Sequence, residues 1–227
     1  MRLLLVLFLC ASIFGEDNMI LSKRLSKDVD LNTDPNSPLW KAAQPVVTEH
    51  GPQNELTPGH RTEVRSRWSD KHLYFFFTCP YEELYLLPNP STTTETDKLW
   101  DHDVAEVFIG AEFDKIWHYR EFQVSPQGEW VDLDIDRKEP KPEGGWRWNS
   151  GYTVQARIDK EHKIWYGAFR IPVESINGGE AKPGKEFRAN FYRLQGPPPN
   201  RRMICWRPTM QSTYHVPEAF GILRMVN

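Results

Sequence analysis

The chain has little cysteine, little excess of either charge and only one long apolar run, and each shortage closes off a class of function. Its 227 residues hold three cysteines, Cys10, Cys79 and Cys205. No Cys-x-x-Cys pair occurs, so a zinc knuckle and a dithiol redox motif are excluded. Cys79 and Cys205 would be free to pair in an oxidising compartment, but spacing alone does not say whether they meet. Lys and Arg number 28 against 31 Asp and Glu, a net charge of −3, which gives no basic footprint for nucleic acid or an anionic membrane. The single long apolar run, Leu3 to Leu9, follows Arg2 and precedes small residues at Ala11, Ser12 and Gly15. Residues 1–15 therefore read as a secretory signal peptide. No second run approaches the roughly 20 residues of a membrane span. The expected mature protein is soluble and secreted or periplasmic, with no membrane attachment once the signal is removed. Gly-x-Ser-x-Gly, the P-loop and His-Glu-x-x-His are absent, as is any long stretch of helical periodicity.

Aromatics and turn formers are abundant: nine Trp and 18 Pro in a chain of mean hydropathy −0.61. Segments 62–68 and 73–79 flank the turn Ser69-Asp70-Lys71, and 116–124 and 130–136 flank Ser125-Pro126-Gln127-Gly128. A third pair, 152–158 and 164–171, flanks Asp159-Lys160-Glu161-His162. Short alternating runs with turns between them predict an all-β fold, an antiparallel, jelly-roll-like β-sandwich in one domain over residues 34–227. Further strands are expected at 44–48, 103–109, 187–194, 203–206 and 221–225. Residues 16–33 are polar and weakly patterned and read as an N-terminal arm or linker.

The segment from Leu99 to Ile109 draws attention for its chemistry. In its strand, Ala105, Val107 and Ile109 share one face, and Val104, Glu106 and Phe108 the other. Glu106 thus lies between apolar neighbours, and Trp100 stands at the strand mouth. An aromatic ring face with a carboxylate nearby suits a sugar, and a core Trp with a paired Glu is the plainer reading. Glu106 with Glu121 could be an acid and base of glycoside hydrolysis. Asp132, Asp134 and Asp136 alternate along one strand, but Arg137 stands where a calcium loop needs Gly, so a solvated edge is expected. Met203, Met210, His118 and His215 would be the axial ligands of a haem-binding electron-transfer domain.

Five motifs in order add a resemblance. They are Val64–Tyr74, Trp100–Ile109, Tyr119–Gly128, Asn190–Arg193 and Tyr214–Gly221. Together they resemble the family 9 carbohydrate-binding modules of the DOMON-like superfamily over residues 34–227. The resemblance implies a non-catalytic, exported β-sandwich that binds an oligo- or polysaccharide, such as glucan or xylan chain ends, between two aromatic side chains. It places the clamp on Trp100 and Tyr214, the sugar-binding acid on Glu106, and polar contacts on Gln123, Tyr192 and Gln211. It implies no cofactor beyond a structural calcium, whose acidic residues are weakly reproduced after Cys79 and before Phe122. A haem domain of the DOMON-like type, or a subunit of a glycoside hydrolase, is the alternative.

Overall fold

A computed structural model describes residues 18–227, and the expected signal peptide lies outside them. Twelve strands form one hydrogen-bonded sheet that curls back on itself. They are β1 (Met19–Arg24), β2 (Val46–Thr48), β3 (Thr62–Trp68), β4 (His72–Pro80), β5 (Val104–Gly110), β6 (His118–Val124), β7 (Trp130–Asp136), β8 (Thr153–Asp159), β9 (Ile164–Pro172), β10 (Glu186–Gln195), β11 (Arg202–Cys205) and β12 (Gly221–Val226). The order is β7-β6-β5-β10-β12-β1-β3-β4-β9-β8, with β11 added to β10 and β2 to β3. The one α-helix among the described residues, α1 (Pro38–Lys41), is a single turn. The three hairpins form as the turn residues dictate, and the sandwich is all-β.

Folding the sheet over brings its two halves face to face. Val64, Phe75, Phe77, Trp165 and Phe169 from β3, β4 and β9 pack against Ala105, Val107, Ile109, Phe122, Val124 and Phe191 from β5, β6 and β10. This is the main core. The approach is close at Gly167, where an added Cβ would lie 2.8 Å from Val124 Cγ1 on the facing layer.

Two expectations are corrected. The N-terminal segment is no simple linker, because β1 runs parallel to both β12 and β3 in the middle of the sheet. The sheet is therefore antiparallel everywhere except at β1. Ile20 enters the core and Ser22 is buried, its hydroxyl 2.8 Å from that of Ser66. Buried Arg67 then pins the chain that follows, donating to the carbonyls of Lys23, Arg24 and Leu39. Residues 25–41 lie over the outer face of β4 and β9, where Trp40 stacks on Phe76.

The second correction concerns the Asp132 strand, which is not a solvated edge. Asp132 is buried and accepts the Ser150 backbone N–H at 2.7 Å. Asp134 pairs with Arg120 and with His118, the latter at 2.9 Å.

The outer face of β5, β6, β7 and β10 carries a second apolar layer: Val104, Phe108, Tyr119, Val131, Leu133, Ile135 and Tyr192. Loops cover it only in part. The candidate site is the gap they leave.

Candidate functional site

Antiparallel register lines up Val131 on β7, Gln123 on β6, Glu106 on β5, Tyr192 on β10 and Cys205 on β11 as one row across five strands. Glu121 sits one pair further along the same face, opposite Phe108. Three polar side chains thus stand in an apolar floor. Gln123 Nε2 donates to Glu106 Oε1 at 2.9 Å and to Glu121 Oε1 at 2.5 Å. Glu106 Oε2, Glu121 Oε2 and Gln123 Oε1 are buried and have no partner. Buried polar atoms are nearly always bonded in native proteins, so three orphans side by side call for a ligand or water.

Among the described residues no cation lies in hydrogen-bonding contact with these carboxyls. Burial pushes Glu106 well above the usual carboxylate range, and the neighbouring Glu121 charge adds to this, with Arg201 opposing it. Burial pushes Glu121 up to about 8, against the hydrogen bond from Gln123. At neutral pH the floor is therefore largely uncharged and offers carboxyl O–H donors as well as acceptors.

Above this floor is a cleft of about 250 Å³ lined by Trp100, Glu106, Phe108, Glu121, Trp146, Tyr214 and His215, among others. Trp100 is half-buried in a 3-10 turn, Leu99–Asp101, anchored by buried Leu99. Arg201 donates to the Trp100 carbonyl at 2.9 Å and also to the His102 carbonyl. Asp103, just before β5, accepts the Gly196 N–H at 2.6 Å and the Gln195 amide at 2.9 Å. These bonds tie the Trp100 turn to the 196–201 loop. Trp146, also half-buried, is set by the return of its loop along the edge of β7, where its carbonyl accepts the Asp134 N–H at 2.8 Å. Lys141 Nζ lies 5.4 Å from its ring centre.

Tyr214 forms an inner wall. Its ring stacks on Tyr192 at 4.0 Å between centroids and 15° between planes, and its hydroxyl donates to the Arg193 carbonyl at 3.0 Å. Tyr192 Oη accepts from Asn190 and donates to the Tyr214 carbonyl. His215 Nδ1 and the Tyr119 hydroxyl are hydrogen-bonded at 2.7 Å. Burial, helped by Arg137 and Lys141, holds His215 down to about 4, so it is neutral.

Trp100, Glu106 and Tyr214 thus line one cleft, with Gln123 and Tyr192 in the floor beneath it. Gln211 is outside the cleft, in a neighbouring trough. Of the haem candidates, Met203 and His215 line the cleft, His118 stands on β6 bonded to Glu112 and Asp134, and Met210 is exposed. Among the described residues no group of three His, Cys, Asp or Glu side chains is placed to hold a metal ion. Burial, helped by the nearby carboxyl of Asp132 and opposed by Arg147, raises Glu95 to about 7. Cys79 and Cys205 are both free and buried, one in the main core and one in the outer layer. Trp146 is an addition that the sequence does not announce, because nothing in Trp146-Arg147-Trp148 says which ring faces which layer.

The same shape occurs in solved structures. A family 9 carbohydrate-binding module from Caldicellulosiruptor kristjanssonii in complex with cellotriose matches with a TM-score of 0.67 at 13% identity, over 92% of this chain and 94% of that one. The fold is that of the family 9 carbohydrate-binding modules. A module from the same organism in complex with glucose matches this module fold with a TM-score of 0.64 at 13% identity, over 91% and 95% of the two chains. A putative carbohydrate-binding protein from Bacteroides uniformis does so with a TM-score of 0.70 at 14% identity, over 92% and 99%. No protein-family profile matches the sequence, and no curated protein matches it. The likeness is therefore one of fold, at 13–14% sequence identity.

Proposed function

We propose that this protein is an exported, non-catalytic carbohydrate-binding module whose cleft takes a glucose-type ring at a glucan chain end. The observation that carries the reading is the row of unpartnered oxygens on Glu106, Glu121 and Gln123, buried beneath exposed edges of Trp100 and Trp146. Sugar hydroxyls would satisfy those oxygens, and the apolar face of the ring would lie on an indole. At about 250 Å³ the cleft falls just below the usual range of ligand pockets, about 300–1,000 Å³. That is room for one or two sugar rings and no more. Structures of this fold with glucose and cellotriose support the ligand class.

Hydrolysis fits the geometry poorly. An acid and a nucleophile must flank the scissile bond and differ in charge. Glu106 and Glu121 share one floor, are bridged by one amide and are both raised. Neither is an ionised nucleophile at neutral pH.

Calorimetric titration of residues 16–227 with glucose, cellobiose, xylobiose and a galactose control tests the reading. Saturable binding of the gluco-sugars, weakened in Glu106→Gln without any loss of melting temperature, is expected. No heat from any sugar at millimolar concentration overturns it.

A further inference from the structure

Beside the cleft runs a second concavity, a polar trough of about 940 Å³. The two meet at Met203 and Ser212, which line both. No Trp, Tyr or Phe lines the trough among the described residues. Its rim instead carries three exposed carboxamides, Gln53, Asn200 and Gln211, whose side chains bond to no described residue, and the exposed guanidinium of Arg202. Its walls are braced from behind. Gln195 Nε2 donates to the Glu83 carbonyl at 2.6 Å and to Asp103 Oδ2 at 2.9 Å. Arg201, which lines the trough, donates to the Gly196 carbonyl at 2.9 Å and to the carbonyl of Trp100 in the cleft wall. The Thr209 hydroxyl holds the turn under Gln211, donating to its carbonyl at 3.1 Å.

Carboxamides pair donor and acceptor on one rigid plane, which matches vicinal hydroxyls on a sugar. A trough four times the volume of the cleft, contiguous with it and rimmed by unengaged amides, is dimensioned for more of the same polymer. We infer that the trough is an extension subsite: with a chain end held in the cleft, the following glycosyl units of an oligosaccharide leave past Ser212 and lie along Gln211, Asn200 and Gln53. The inference rests on the proposed sugar binding in the cleft and adds chain length to the specificity. Binding there is by hydrogen bonds without stacking, so each unit adds a modest increment.

The test is calorimetry of residues 16–227 with glucose, cellobiose, cellotriose and cellotetraose, repeated on the double variant Gln53→Ala/Asn200→Ala. Both positions are exposed, so the fold is not at risk. The wild type should tighten about tenfold from cellobiose to cellotetraose, the yield of one or two net hydrogen bonds. The variant should lose most of that gain and keep its glucose affinity. Equal affinity for cellobiose and cellotetraose in the wild type overturns the subsite while leaving the cleft reading intact. An undiminished gain in the variant overturns the assignment to these amides. Failure of every glucan to bind removes the cleft reading and the subsite together.

Discussion

Replacing Glu121 by Gln should stabilise this protein at alkaline pH and do little at acid pH. The side chain is 3% exposed. Its Oε1 accepts from Gln123 while Oε2 has no partner. Gln keeps the accepting oxygen and the shape, carries an NH2 in place of the second oxygen and cannot ionise. In the unfolded chain Glu121 ionises near its ordinary 4.5, whereas in the folded protein burial holds the proton until about 8. Below 4.5 both states are protonated and the wild type pays nothing. Between 4.5 and 8 the folded state binds more protons than the unfolded one, so stability falls as pH rises. Above 8 both are ionised and the loss is complete. A displacement of that size is worth on the order of 5 kcal/mol. At a few degrees per kcal/mol for a chain of this length, the variant should melt on the order of 10 °C higher at pH 8.5. The advantage should vanish near pH 4. Thermal melts by circular dichroism at pH 4, 6.5 and 8.5 on both proteins measure it. A stability difference between the two proteins that is the same at all three values would mean that Glu121 ionises alike in the folded and unfolded chain, and the uncharged-floor argument would fail.

Three other substitutions or labels probe separate parts of the site. Trp100→Ala should weaken glucan binding by about 1–3 kcal/mol in calorimetry, the usual loss at a binding hot spot. Its melting temperature should drop by less than the loss of a fully buried Trp would cause, because the ring is only half-buried. Tyr214→Phe deletes a hydroxyl that donates to the Arg193 carbonyl and should cost about 1 kcal/mol of stability in a denaturant melt. Affinity should hold, since the ring survives. Burial pushes both Cys79 and Cys205 up to about 12. In residues 16–227 a thiol reagent should therefore find no reactive thiol in the native protein and two in denaturant without reductant.

Local pattern carried the hairpins. Thr62–Trp68 and Trp130–Asp136 are bounded as strands by their own alternation and turns, and β5 reads correctly because both of its faces are buried. Strand β1 was illegible for a physical reason. Its inward positions are Ile20 and Ser22, and the serine is buried only because Ser66, 44 residues away, supplies a partner. Asp132 misled in the same way, since the chain near Ser150 folds over it from outside its own strand.

The site divides along the same line. Trp100 and Glu106 are neighbours in sequence and could be paired from it. Glu121 suggested only one half of a catalytic acid–base pair with Glu106, because its place beside Glu106 in a shared floor depends on the register of β5 against β6. Tyr214 suggested an open platform, yet Tyr192 on β10 covers one of its ring faces. Trp146 faces the cleft through pairing with the edge of β7, which no local spacing encodes.

The most direct measurement is a crystal structure of residues 16–227 grown with saturating cellobiose. The account predicts a pyranose ring in the cleft, its apolar face against Trp100 and hydroxyls within hydrogen-bond distance of Glu106 Oε2 and Glu121 Oε2. Sugar bound elsewhere on the sheet, or a cleft holding only water at that concentration, would contradict it.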